Sequence, residues 1–490
     1  MKRASWYTLI AVNIFWLGLN MRNTALGSIF MPFLVDMFVQ PQIKNTALGF
    51  MRTAGLVIAM LVQPLSGLLS DRNTSRFGRR RPYIVAGVFF DLILLIAVGA
   101  SANYWMLFIA VLLIQISSNI SHGPLQGLIP DLIPAEQRGM ASAIKAIFEL
   151  LPIILVSFTI APIVASGHTF LAILLTMAVL LITMILTILF VHETPLQTRP
   201  TTSLIAPIVG VILILLGILA GAEVGGIASL LTGGLIGAVT WFFLRSNTAL
   251  VVGIWIGGGV AMVVAIVAGV WSGIHLSLEQ QARHEKAFTW WVVNRLMFLA
   301  AATSIQGFAP YFLMSAFQVN REKAIEMTAQ LMMVAGILTV ISAILSGWLS
   351  DRFGHKRLVG VAGVIGAIGS LTLLGTAVIP NLGLMYVAGS LIGMGTGLFM
   401  TTNWALGTNL VSTENAGRYL GISNLAGAGA GMIGAGIGGP VADLLNLHQP
   451  GLGYIALFAI YALLFLLSTV SLIGVRKTEQ DRMVLNVAVS

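Results

Sequence analysis

Apolar runs long enough to cross a bilayer, about 20 residues each, recur along the whole chain between short polar stretches. In order, they predict helices over residues 6–38, 46–70, 82–102, 104–129, 140–166 and 169–191. A second set predicts helices over 287–317, 325–349, 358–379, 383–410, 418–444 and 452–475. Backbone groups in lipid must be satisfied within the segment, and no alternating barrel-strand pattern occurs. Three further runs, 203–221, 226–244 and 249–273, lie between the two sets. Each set of six begins and ends on the same face, so this insert must cross an even number of times. Arg245 follows the second run and favours the basic side there. The pattern therefore predicts two extra spans, with the glycine-rich third run re-entrant or interfacial. The expected fold is an all-α polytopic membrane protein of two six-helix repeats and about 14 spans. Its regions are an N-terminal bundle (1–195), an insert with a polar linker (196–286), a C-terminal bundle (287–478) and a tail (479–490).

The polar stretches sharpen this picture. Gly67, Asp71, Arg72, Gly78, Arg79 and Arg80 lie in a basic loop after the second run, and Gly347, Asp351, Arg352, Gly354, Lys356 and Arg357 lie in its shorter counterpart. A second loop pair carries Asp131, Glu136 and Arg138 in one half and Glu414 and Arg418 in the other. Matching loops in matching places indicate an internal repeat. Positive-inside sorting needs the arginines but not the glycines or Asp71. A carboxylate at a helix junction can accept hydrogen bonds from the N-terminus of a neighbouring helix or pair with arginines across the seam between the halves. The loops are therefore expected to be gating elements that close and open a face.

Composition excludes several classes. With 57% hydrophobic and 9% charged residues, the chain has too few charges for a soluble protein of its length. The net charge of +9 sits in short loops beside apolar runs, which argues for membrane orientation and against nucleic acid. There is no cysteine, hence no disulfide or thiolate metal site. Lys2 and Arg3 before an apolar run resemble a signal peptide, but Asn13 and Asn20 interrupt the run and it continues to Phe38, so a retained helix is expected. No nucleophile, metal or nucleotide constellation points to an enzyme or a cofactor.

Ionisable residues at membrane depth cost about 3 kcal/mol each, so each is a functional candidate. Arg22 with Asn23, Asp91, His122, Lys145 with Glu149, and Arg295 beside Asn294 are of this kind. Arg52 is expected to snorkel to the outer interface. A site for a polar solute needs amides and an aromatic wall, which Asn119, Gln126, Gln306, Asn403 and Trp404 can supply with Arg22, Asn23, His122, Asn294 and Arg295. Asp91 and Glu149 are the proton-coupling candidates; Asp91 can equally be a buried partner of Arg22 or Arg52. Polar side chains also hold helices together, so part of this set is expected to be structural.

The repeated Gly-x-Leu-Ser-Asp-Arg loop, ending in basic residues, resembles the signature of the major facilitator superfamily. The fuller form, Val62-Gln63-Pro64 through Ser70-Asp71-Arg72 to Arg79-Arg80-Arg81-Pro82, is similar to the plant sucrose–proton symporters and their animal and bacterial relatives. Asn119, Gly123-Pro124 and Asp131-Leu132 extend the likeness. The resemblance implies a monomeric transporter in the plasma membrane with both termini cytoplasmic. It would carry a sugar or glycoside by alternating access, with H+ as the coupling ion. The chain departs from those relatives at Gln115 and Gln126, which stand where they carry a proton-binding aspartate and an arginine. Two alternatives remain open: an exporter of an amphipathic compound, or a non-transporting scaffold or pigment-delivery protein.

Overall fold

The computed structural model describes residues 4–134, 137–193, 205–246, 248–277, 286–408, 410 and 416–475. Among them the chain is helical, without strands. The helices are α1 (Trp6–Ala25, continued through a π-helical turn Leu26–Phe30 into Met31–Phe38), α2 (Lys44–Ser70), α3 (Arg81–Gly99), α4 (Tyr104–Gln126), α5 (Arg138–Phe158) and α6 (Thr169–Phe190). Next come α7 (Ile205–Leu244), α8 (Thr248–Ser277), α9 (Lys286–Phe317), α10 (Arg321–Phe353), α11 (His355–Val378), α12 (Leu382–Thr408), α13 (Ala416–Asn446) and α14 (Leu452–Ser471). Twelve helices among the described residues are long and apolar enough to cross a membrane. The chain is thus a multi-pass membrane protein.

The insert has the predicted number of crossing helices but a different division. The first two apolar runs form one 40-residue helix, α7, and the third run is one continuous 30-residue helix, α8, each long and apolar enough to cross a membrane. Glu223 separates the runs in sequence, yet a single carboxylate interrupts no i→i−4 hydrogen bond, so the helix continues through it. Helices α7 and α8 pack antiparallel along stripes of small residues four apart. Gly217, Gly221, Gly225, Ser229, Gly233 and Gly237 face Gly253, Gly257, Ala261, Ala265, Gly269 and Gly273. A Cβ on Gly233 would lie 2.6 Å from Gly253 O, and one on Gly225 2.6 Å from Ala261 O. Between membrane helices, close backbone approach is what small residues supply. The sequence carries this spacing, and the third run is glycine-rich because it is half of that seam. Gly221→Leu is expected to cost about 1–3 kcal/mol in thermal unfolding of the purified protein. Gly234→Leu, where a side chain meets open space, should be neutral; equal effects would remove the seam.

The helices gather into two units: Met1–Ile212 with Gln306–Val340, and Leu213–Ile305 with Ile341–Ser490. In the first unit α1 packs on α5 and α6, α2 on α4, and α3 on α4 and α6. In the second, α11 packs on α12 and α14, and α13 on α8 and α14. Glycines set the close crossings in the first unit. A Cβ on Gly87 of α3 would lie 2.6 Å from Ser117 O and 2.8 Å from Ser121 N on α4. Gly18 of α1 sits directly against Leu180 and Thr183 of α6. Asp91 is one turn beyond Gly87 and Arg22 one turn beyond Gly18, so these crossings carry two charged side chains into the interior of the unit.

Candidate functional site

The first unit buries a charge pair at the middle of its helices. Arg22 Nη2 lies 3.1 Å from Asp91 Oδ2, and the side chains are 1% and 0% exposed. Ser117 donates to Asp91 Oδ1, and Arg22 donates to Ser118 Oγ. Of the two roles open to Asp91 in the sequence, the geometry provides the partner of Arg22. The carboxylate thus comes from α3 and meets α4 at Ser117, two residues beyond Gln115. Gln115 itself is half-buried and packs over Gly55. Arg22 Nε has no hydrogen-bond partner, and Asp91 Oδ2 has none beyond its 3.1 Å ion-pair contact with Arg22 Nη2. A desolvated ion pair with an unsatisfied polar atom is costly to bury, which marks the pair as a functional candidate.

Around this pair the other candidates spread out. His122 is half-buried, with its ring edge-on to Trp16 at 5.3 Å. Lys145 Nζ lies 4.2 Å from the Trp16 ring centre and 3.2 Å from Glu149 Oε1, so Glu149 is already neutralised one helical turn away. Asn119 is buried; its side-chain amide donates to Gln115 O, and its backbone carbonyl accepts from Ser66 Oγ at 2.7 Å, joining α4 to α2. Asn23 and Gln126 are exposed, and Gln306 is half-buried. Arg52 is half-buried within the unit. Its guanidinium donates to Gly27 O in the π-helical turn of α1 and rests on Gly307 of α9.

At the end of this unit that carries the first basic loop, Arg80 is the hub. It donates from Nε to Asp131 Oδ2 at 2.6 Å, from Nη2 to Asp71 Oδ1 at 2.9 Å and from Nη1 to Pro124 O at 3.2 Å. Its backbone N–H donates to Glu193 Oε2 at 2.7 Å. Arg79 also pairs with Asp131. Burial alone would lower the Arg79 pKa, but the hydrogen bond and charge of Asp131, with Asp71 and Glu193, hold it above its ordinary value. Gly78 adopts φ +108°, a conformation that side chains disfavour, and a Cβ there would meet Glu193. Gly67 lies against Gly123 where α2 crosses α4, and Arg138 caps the Ile133 and Pro130 carbonyls. The observed partner of Asp71 is therefore on its own loop. Sequence reasoning missed Glu193 as part of this cluster; a lone acid directly after an apolar run facing an arginine-rich loop was the available signal.

A second charged cluster in this unit also escaped the sequence reading. Asp36, at the end of α1, accepts from Lys44 Nζ and Arg321 Nε, each at 2.7 Å. Lys44 lies 4.7 Å from the Tyr311 ring centre, and Tyr311 Oη donates to Pro32 O at 2.9 Å. These bonds tie α1 and α2 to the ends of α9 and α10 that belong to the same unit. Nothing in the linear pattern joins residue 36 to residue 321.

The second unit gathers the remaining candidates. Asn294 and Asn403 are fully buried. Asn403 Nδ2 donates to Asn294 Oδ1 at 2.7 Å, and Asn294 Nδ2 to Ser468 O at 2.7 Å. Trp291 donates to Asn403 O at 2.9 Å. Arg295 Nη1 donates to Asn403 Oδ1 at 3.2 Å, and the guanidinium lies 5.3 Å from the Trp404 ring centre. In the second basic loop Lys356 donates to Val475 O at 2.7 Å, Arg352 lies beside the rings of Trp348 and Phe353, and Arg357 is exposed. Gly354 has φ +84° where α10 turns into α11, while Gly347 faces open space. Glu136 and Glu414 lie outside the described residues, as do the side chains of Asp351 and Arg418.

Among the described residues no group of three or more His, Asp or Glu side chains could hold a metal. The chain is 30% identical to the sucrose transport protein SUC3 of Arabidopsis thaliana over 21% of each chain. It is 31% identical to the sucrose transport protein SUT1 of Oryza sativa subsp. japonica over 21% of this chain and 23% of that one. The matched segment thus spans about a fifth of these curated relatives. In fold, the chain resembles a D-xylose–proton symporter (TM-score 0.64, 14% identity, 95% of this chain and 97% of that one). It likewise resembles a point variant of the nucleoside transporter NupG (TM-score 0.63, 13% identity, 96% and 100%). The Major Facilitator Superfamily profile matches residues 15–279 and 271–435. With its repeated basic loops and its helical multi-pass architecture, the chain belongs to the major facilitator superfamily, a family of membrane transporters.

Proposed function

We propose that the protein is a secondary active transporter that moves a small polar solute, a sugar or glycoside, by alternating access, with proton coupling at the Arg22–Asp91 pair. The observation that carries this reading is that pair: two opposite charges, 3.1 Å apart and almost wholly buried at the middle of α1 and α3. Protonation of Asp91 removes the charge that holds Arg22 and frees the guanidinium to donate to solute oxygens. Deprotonation re-forms the pair and releases the solute. Ser117 and Ser118 hold the two partners in register. Glu149, paired with Lys145, is the secondary proton candidate. The likeness to sucrose transport proteins over a fifth of their length supports a sugar, and the D-xylose–proton symporter fold supports H+ as partner.

In this reading residues 1–195 and 287–478 are the two rocking halves, 196–286 is an accessory insert and 479–490 a tail. The basic loops act as gating elements on the cytoplasmic face, where both termini lie, and the monomer works in the plasma membrane. His122, Asn23, Asn119 and Gln126, and likewise Gln306, Asn294, Asn403 and Trp404 of α9 and α12, supply solute contacts or hold those contacts in place. The test is flux in proteoliposomes of the full chain. Labelled sucrose and glucosides should accumulate under an inward-acid gradient, and Asp91→Asn should abolish accumulation while retaining solute exchange. Accumulation that ignores the gradient, or survives Asp91→Asn, would sink the coupling mechanism.

A further inference from the structure

Two arginines are buried in the membrane-spanning helices described above, and their surroundings differ in one respect. Arg22 has Asp91. Arg295 is 7% exposed and has no ion pair among the described residues. Its contacts are neutral: Asn403 Oδ1 at 3.2 Å and the ring of Trp404. Its Nε has no hydrogen-bond partner. The neighbouring amides cannot turn to supply charge or spare acceptors, because Asn403 and Asn294 bond to each other and Asn294 is anchored to Ser468. A buried cation lacking a counter-charge is costly, and membrane proteins keep such groups for ions or substrates.

The chemistry of the missing partner follows from the donor. A guanidinium presents parallel N–H groups that match the two oxygens of a carboxylate or phosphate. Trp404 is 36% exposed, and its ring centre lies 5.3 Å from the guanidinium. An aromatic wall next to a charge-assisted donor suits a compact polar ring bearing an acidic group. Arg295 lies in α9 and Asn403 in α12, and the two helices are held together at this level by Trp291 and the asparagine pair. The cation is therefore held in place before any ligand arrives.

We propose that Arg295, with Asn403 and Trp404, binds the acidic group of an anionic sugar derivative, a carboxylate or a phosphate ester. This rests on the transport reading and narrows its substrate class, so the experiment separates the two. Purified full-length protein is titrated with glucuronate, glucose 6-phosphate and glucose, reading the shift in thermal unfolding. The same three compounds compete for solute uptake in proteoliposomes. Glucuronate or glucose 6-phosphate should bind at least about tenfold more tightly than glucose, and which of them binds identifies the acid. Arg295→Gln should weaken binding of the acid by about 10- to 100-fold and that of glucose by less; Arg295→Lys should restore part of the loss. The ligand-free variant should unfold no earlier than the parent, since the cation has no counter-charge to lose. Equal binding of acid and neutral sugar, or an unchanged affinity in Arg295→Gln, overturns the proposal. So does a variant that unfolds early and loses all ligands alike. Acid binding that depends on Arg295 without flux of any solute would instead overturn the transport reading and leave the site standing.

Discussion

Asp91→Leu is expected to destabilise the protein by about 3–5 kcal/mol, because it leaves the Arg22 guanidinium buried without its counter-charge. Both side chains are out of contact with solvent, so screening does little to soften the loss. Arg22→Met alone should cost a comparable amount by stranding Asp91. The double variant Asp91→Leu with Arg22→Met should recover most of the stability, since replacing both partners removes the desolvation of two charges together with their attraction. Thermal unfolding of the purified full chain in one detergent measures all three. Additive losses in the double variant would mean that the two charges do not pair in the folded protein. Ser117→Ala, which removes one donor to the carboxylate, should cost about 1–3 kcal/mol.

Arg80→Ala should produce the second largest effect, about 2–3 kcal/mol. The full penalty for breaking a dry ion pair is about 3–5 kcal/mol, but Asp71 is 49% exposed and Asp131 29%, so water recovers part of it. Arg79 also stays paired with Asp131 in the variant. Arg80→Lys should recover little, because an ammonium cannot reach Asp71, Asp131 and the Pro124 carbonyl at once as the guanidinium does. The loss should shrink at high salt, in contrast to that of Asp91→Leu. A salt-independent loss equal for Ala and Lys would mean that packing over Gly127, rather than charge, is what Arg80 contributes.

Much of the architecture was legible in the chain because lipid imposes a simple rule: every spanning segment must be apolar, helical and about 20 residues long. The predicted spans 46–70, 82–102 and 169–191 correspond to Lys44–Ser70, Arg81–Gly99 and Thr169–Phe190. The insert was read less well. Runs 203–221 and 226–244 are separated in sequence by a short stretch that holds Glu223, but the hydrogen-bond ladder of α7 is indifferent to one exposed carboxylate. The small-residue stripes that join α7 to α8 were visible as spacing, though their antiparallel partnership was not.

For the candidate site, the sequence by itself determined which side chains are anomalous. Arg22, Asp91, Asn294, Arg295 and the two basic loops are polar groups where hydrophobicity is the rule, and their cost in lipid marks them without any coordinates. Only the tertiary structure decided whom each one meets. Arg22 and Asp91 are 69 positions apart, Asp36 and Arg321 are 285 apart, and Asn294 and Asn403 are 109 apart. Such pairings depend on where helices cross, and the crossings depend on glycines such as Gly18 and Gly87, whose missing Cβ permits contact. Hydrophobic burial is non-directional and can be read along one chain; an ion pair has a distance and a partner, and both exist only after the helices have packed.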